Sequence, residues 1–141
     1  MNPTYIDIGI NLTSKQFKND IPSVIQKAVA AGVPQMILTG TNVSNSEAAA
    51  TLAKTYPGIL YATAGIHPHD AKHFNSNSMA VLRQLLQETA VVSVGECGLD
   101  FDRDFSPRHM QEKCYEAQLQ LAAEIQKPLF MHERAAFERF N

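Results

Sequence analysis

Long hydrophobic runs are missing from this sequence. No stretch approaches the roughly 20 apolar residues that a membrane-spanning helix takes, so such a helix is not expected anywhere in the 141 residues. The opening MNPTYIDIGI has no basic segment and no small-residue cleavage site. It does not read as a secretory leader, and a cytoplasmic location is the expectation. Cysteine is scarce: Cys97 and Cys114 are the two present. Neither lies in a CxxC pair or at zinc-type spacing, so both are expected to be free thiols. Charge of one sign is not in excess either. A net charge of -2 argues against a broad basic surface, so affinity for a nucleic-acid partner would not come mainly from surface lysine and arginine, and a local site, with metal ions as one means, would do the positioning. No GxGxxG follows the first apolar stretch and no P-loop occurs, which weakens the nucleotide-binding open sheets. Low-complexity tracts are absent too. With 45% hydrophobic and 18% charged residues, the chain reads as one globular domain over residues 1–141.

Against these absences stands a regular alternation. Five apolar stretches recur: Tyr5–Ile10, Gln35–Gly40, Leu60–Gly65, Val91–Glu96 and Pro128–His132. Helical patterns separate them. Ile21, Val24, Ile25, Ala28 and Val29 mark the first, with Asp20 as its expected cap and Gly32 as its end. Ser44 and Glu47 have capping-box spacing before an alanine-rich helix that Gly58 closes. Met79, Leu82, Leu85 and Leu86 mark a third, with Ser76 to Ser78 as cap candidates. Ser106 and Pro107 open a fourth in the favoured order, and its apolar stripe is Met110, Cys114, Ala117, Leu121 and Ile125. A further helix is expected to begin just before Asn141.

Apolar strands alternating with amphipathic helices imply an α/β protein with a parallel sheet covered by helices. An open doubly wound sheet and a (β/α) TIM-type barrel both satisfy the pattern. The polar residues favour the barrel because they gather after the strands: Asn11 and Thr13, Thr39 to Asn42, His67 to Asp70, Glu96, and His132. Barrel enzymes place their sites at those strand ends. A full eight-stranded barrel takes about 250 residues. The expectation is therefore a barrel truncated after about five parallel strands.

The chemistry-bearing residues have bland readings as well. Glu96 leaves a strand that is otherwise Val, Val, Ser, Val and Gly. It reads as a solvated or salt-bridged glutamate, or as a metal ligand, since a carboxylate there is costly to bury unpaired. Gly95 and Gly98 favour the second reading, because they allow close backbone approach or positive φ. His132 ends the next strand at the equivalent position. Alone it reads as a hydrogen-bonded boundary histidine. Beside Glu96, across strands about 4.8 Å apart, it can share a divalent cation. In GIHPHD, His67, His69 and Asp70 read as solvated turn residues, as ligands, or as contacts to a substrate phosphate. Asp100, Asp102, Arg103 and Asp104 read as a solvated mixed-charge loop in which Asp100 or Arg103 can face the site. His73 and His109 carry no pattern and read as surface residues; Cys114 reads as core and Cys97 as a packed neighbour.

Together the segments DIGINL, GIHPHD, GECGLDFDRDF, QLQLAAE and PLFMHER resemble the TatD family of metal-dependent deoxyribonucleases, in the family's order and with similar spacing. The resemblance covers this whole chain and a little over half of a family member. It implies a (β/α) barrel that hydrolyses phosphodiester bonds in DNA, with a 3'-5' exonuclease as one form of that activity. Magnesium or manganese is the implied cofactor and single-stranded DNA the implied partner. It also implies metal ligation by Glu96 and His132, and phosphate contacts from His67 and His69. The pattern departs from the family where D-x-H-x-H reads Gly9 and Asn11, which leaves one metal position weak or lost, and where R-D-A reads Arg134-Ala135-Ala136. The family's later histidine and late aspartate, its expected general base, have no counterpart before Asn141, so the catalytic base is unassigned and the activity of this form is in doubt. The competing reading is a non-catalytic nucleic-acid-binding or scaffold protein of the same fold. Exposed barrel edges lead to a further expectation, self-association.

Overall fold

In a computed structural model that describes residues 4–141, the apolar runs form strands β1 (Ile6–Ile10), β2 (Gln35–Leu38), β3 (Leu60–Ala64), β4 (Val91–Asp100) and β5 (Leu129–Arg134). All pair in parallel in the spatial order β1-β2-β3-β4-β5. Helices α1 (Ile21–Ala30), α2 (Val43–Thr55), α3 (Ser76–Leu85) and α4 (Arg108–Ile125) return the chain between strands, and the short α5 (Phe137–Phe140) follows β5. The sheet is curled rather than flat. A Cβ placed on Gly9 of β1 would lie 3.7 Å from the ring of Phe130 of β5. Side chains from the two outermost strands thus meet across the concave face, and the architecture is the expected half-barrel. No helix among the described residues is long and apolar enough to cross a membrane.

Leu38, Leu60, Leu82, Leu86, Val91, Val94 and Leu121 are almost wholly buried and tie β2 to β4 against α2, α3 and α4. The outer strands fare differently. Ile6 and Ile8 of β1 are 56% and 57% exposed, and Met131 of β5 is 48% exposed. Side chains pointing outward from an edge strand have a helix on only one side.

Several local expectations need correction. Strand β4 does not stop at Glu96 but runs on to Asp100, because its end keeps pairing with β5, Gly98 with His132 and Asp100 with Arg134. Asp20 sits at the N-cap of α1 but makes no capping bond. Ser44 and Glu47 do not form the box that opens α2; Asn42 caps it by accepting from Asn45 N at 2.8 Å. Asn75, not a serine, caps α3, with Ser78 completing the reciprocal pair. Asn and Ser cap about equally well, so spacing alone misplaces such starts by a residue or two. Ser106 does not cap α4, whose first residue is Arg108. Its hydroxyl donates to His69 O at 2.8 Å and accepts from Lys72 N at 3.0 Å.

The stripe of α4 also differs from the expectation. Cys114 and Leu121 are buried as read, but the rest of the buried face is Gln111, Tyr115, Gln118 and Ala122. The two glutamines lie two turns apart on one face and hold strand ends. Gln118 accepts from Ile66 N at 2.8 Å and donates to Ile66 O at 3.0 Å, just past β3. Gln111 accepts from Asp100 N at 2.9 Å and donates to Asp100 O at 3.1 Å and Ser106 O at 2.8 Å, at the end of β4. Amide side chains thus satisfy backbone groups that the sheet has released, groups that would be costly to bury unpaired.

Candidate metal centre

Glu96 reaches the concave face through an irregularity in β4. Gly95 pairs with Phe130 and Cys97 with Met131, so Glu96 is the extra residue of a bulge. Bulges of this kind re-aim a side chain beside a site. Two glycines make it possible. Gly95 and Gly98 adopt φ of 140° and 136°, and a Cβ on either would sit 2.0 Å from a β5 carbonyl oxygen, that of Phe130 or of His132. Positive φ and close approach, both anticipated from the sequence, therefore occur together.

At the ends of β3, β4 and β5 the polar side chains converge. His132 Nδ1 lies 3.4 Å from Glu96 Oε1. His67 Nε2 lies 4.0 Å from the same oxygen. His67, Glu96 and His132 each bring one ligand-capable atom within 4.8 Å of the others. One carboxylate oxygen and imidazole nitrogens at this spacing fit a divalent cation. The His67 ring packs 4.7 Å from that of His132 and 4.3 Å from that of His69, centroid to centroid. Burial, reinforced by the neighbouring His69 and His132, lowers the His67 pKa to about 4. The ring is therefore neutral at physiological pH.

Asp100 joins the cluster from below. Its side chain is wholly buried. Oδ2 lies 3.1 Å from His69 Nε2 and 3.1 Å from His132 Nε2. Oδ1 accepts from Asp102 N at 3.1 Å and Arg103 N at 2.9 Å. Burial opposes the charge of this carboxylate, but the Arg103 N–H, the two histidines and the Asp102 N–H outweigh it and hold the pKa well below the usual carboxylate range. Asp100 is the site-facing member of its charged run. Arg134 is its nearest cation, with Nε at 4.0 Å.

The structure thus gathers all four residues singled out from the sequence. Glu96, His132 and His67 meet at one point, and His69 joins them through Asp100. Thr39 to Asn42 serve structural ends: Asn42 caps α2 and donates to Asp70 at 3.1 Å. Cys97 is buried, with its thiol pushed up to about 12 mainly by burial, so it is no nucleophile. His73 and His109 lie on the surface as expected. Sequence reasoning missed Gln111 and Gln118 as supports. The one available signal was their seven-residue spacing in step with Cys114 and Leu121.

A parallel half-barrel whose strand C-termini converge on histidines and a glutamate has the architecture of the metal-dependent hydrolase barrels. Comparison with known proteins narrows this further. The sequence profile of the TatD related DNase family matches residues 6–141, and the chain belongs to that family. It is 55% identical over 135 residues to the 3'-5' ssDNA/RNA exonuclease TatD of Edwardsiella piscicida, covering 96% of this chain and 52% of that protein. It is 51% identical over 134 residues to the protein of the same name from Salmonella typhimurium, covering 95% of this chain and 51% of that one. Among solved structures, the TatD homologue YJJV of Escherichia coli superposes with a TM-score of 0.88 at 30% identity, over 96% of this chain and 53% of its own. An uncharacterized amidohydrolase from Saccharomyces cerevisiae gives 0.85 at 27% identity, over 97% of this chain and 50% of its own. The chain spans about half the length of the curated relatives it matches.

Proposed function

We propose that this chain carries the metal-binding half of a nuclease site that hydrolyses phosphodiester bonds in single-stranded DNA, working from the 3' end as the names of its relatives state for them. The observation that carries this reading is the meeting of Glu96 and His132, 3.4 Å apart at adjacent strand ends. Glu96 and His132 are the metal ligands, and magnesium or manganese is the cation. When bound, the cation supplies Lewis-acid activation of the phosphate and of an attacking water. A general base to take the proton from that water is not assigned among residues 1–141.

His67 is suited to the substrate rather than the metal. Its Nδ1 accepts the backbone N–H of His69 at 3.2 Å. In the neutral ring the proton then sits on Nε2, which faces the site as a donor to a phosphate oxygen. His69 is held on one side by Asp100 and supplies the second phosphate contact. Next to it stands Phe105, 53% exposed with its ring 4.7 Å from that of His69. Arg103 lies 5.9 Å from the Phe105 ring centroid, and Lys72 Nζ is held 3.2 Å from Phe105 O. An open aromatic ring flanked by cations suits an unpaired base and its phosphates. A cytoplasmic setting, where single-stranded nucleic acid and reduced thiols coexist, accords with the two free cysteines.

Cation-dependent shortening of a 5'-labelled single-stranded oligonucleotide by this protein, lost in Glu96→Ala and His132→Ala, tests this reading. Oligonucleotide binding without cleavage under magnesium and manganese would overturn it in favour of a binding protein. The 141-residue polypeptide is expected to self-associate through the edges of β1 and β5, where Ile6, Ile8 and Met131 are open to solvent. Sedimentation velocity would show this as concentration-dependent species, whereas a sharp monomer at all concentrations would refute it.

A further inference from the structure

We propose that Asp100 is the positioning residue that orders both functional histidines of this site, acting through one buried carboxylate oxygen. The inference rests on the metal reading above and goes beyond it. Oδ2 lies 3.1 Å from the Nε2 atoms of both His132 and His69. A carboxylate can only accept, so each ring must place a proton on the nitrogen that faces it. For His132 this has a direct consequence. With its proton on Nε2, the neutral ring turns a bare Nδ1 lone pair toward Glu96 Oε1, 3.4 Å away. Two acceptors at that distance repel unless a metal ion or a proton lies between them. Asp100 thus sets His132 in the tautomer that can ligate a metal, and it fixes the plane of the ring. For His69 the same contact fixes the orientation of the ring beside the site.

Asp100 is itself unable to turn away. Its other oxygen is taken by the N–H groups of Asp102 and Arg103. Its backbone N–H and C=O are both clamped by the Gln111 amide. Helix α4 therefore reaches the site through Gln111 and Asp100, without touching the metal or the substrate. On the other flank, Ser106 ties the carbonyl of His69 to the start of that helix. Outer-shell carboxylates that hold a ligating histidine in this manner typically contribute 10–100-fold to metal affinity.

The test uses the 141-residue chain with ¹⁵N-labelled histidine. In the metal-free wild type, long-range ¹⁵N–¹H spectra should show a proton on Nε2, the nitrogen facing Asp100, in both His69 and His132. A bare Nε2 on either ring would overturn the proposal, and this arm needs no variant to fold. In Asp100→Asn, with folding verified by circular dichroism, the His132 tautomer should redistribute and the affinity for Mn2+ alone should fall about 10–100-fold. Unchanged tautomers and unchanged Mn2+ affinity in that variant would also overturn it. If the wild type shows the expected tautomers but binds no Mn2+, the metal reading fails while the ordering of the two rings by Asp100 stands.

Discussion

Strands β1 and β4 both carry an aspartate, yet the fold treats the two in opposite ways. At the end of β4, Asp100 is fully buried and every oxygen of its carboxylate has a partner. At β1, Asp7 is exposed and accepts only from the nearby Gly9 N at 3.2 Å. Gly9 offers no side chain, and Asn11 is exposed. The difference lies in what surrounds each strand. β4 has a strand on both sides and α4 behind it, so polar groups placed there are desolvated and must be paired. β1 has a strand on one side only and its polar groups stay wet. A prearranged site needs the first environment: Glu96 and Asp100 sit on β4, and His67 and His69, past the end of β3, and His132 on β5 gather against it, whereas β1 brings no side chain to the cluster.

Substitutions should expose this asymmetry. Gly98→Ala places a Cβ 2.0 Å from His132 O at a φ of 136°. It is expected to separate β4 from β5 at a cost above about 4 kcal/mol, read as loss of soluble protein or collapse of the urea midpoint. A well-folded Gly98→Ala protein would refute the packing described for this strand pair. Gln111→Ala follows. It leaves the buried N–H and C=O of Asp100 and the C=O of Ser106 without partners, and about 3 kcal/mol of stability should disappear in urea unfolding.

The third prediction concerns pH. The His67 pKa is lowered to about 4 in the fold, while an unfolded histidine titrates near about 6.5. As the pH falls through that window, the unfolded chain takes up a proton that folded His67 refuses. The metal-free protein should therefore lose stability on acidification, by at most about 1.4 kcal/mol per pH unit from this group. His67→Asn should flatten the slope between pH 7 and 5, and an unchanged slope would contradict the burial assigned to His67. Gly9→Ala on β1 is expected to have the smallest effect. Its new Cβ meets only the Phe130 ring at an ordinary 3.7 Å, so stability should change by no more than about 0.5 kcal/mol. A large loss there would mean that the β1 side is packed as tightly as the β4 side.

The same asymmetry separates what was legible in the sequence from what was not. The strands were readable because parallel, helix-covered strands are nearly continuous apolar runs, and Val91 to Val94 is such a run. Glu96 and His132 were readable because a charged or imidazole side chain ending such a run is conspicuous. Gly95 and Gly98 were readable because two glycines around Glu96 had no other use. Asp100 was harder. It follows Gly98 and precedes further charges, a pattern that resembles a solvated turn until pairing with β5 is known. Gln111 and Gln118 were missed, since a glutamine on a helix signals solvent; only their spacing in step with Cys114 and Leu121 hinted that they face the strand ends. Asn42 and Asn75 lost out to nearby serines because the two residue types cap helices equally well.

One measurement bears most directly on the central claim that Glu96 and His132 are brought together to hold a cation. Mn2+ binding to the purified chain can be followed by electron paramagnetic resonance of the free ion. Saturable binding to one class of site, abolished by Glu96→Ala and by His132→Ala but retained in His73→Ala, is the predicted result. Equal binding by all four proteins, or none by the wild type, would contradict it.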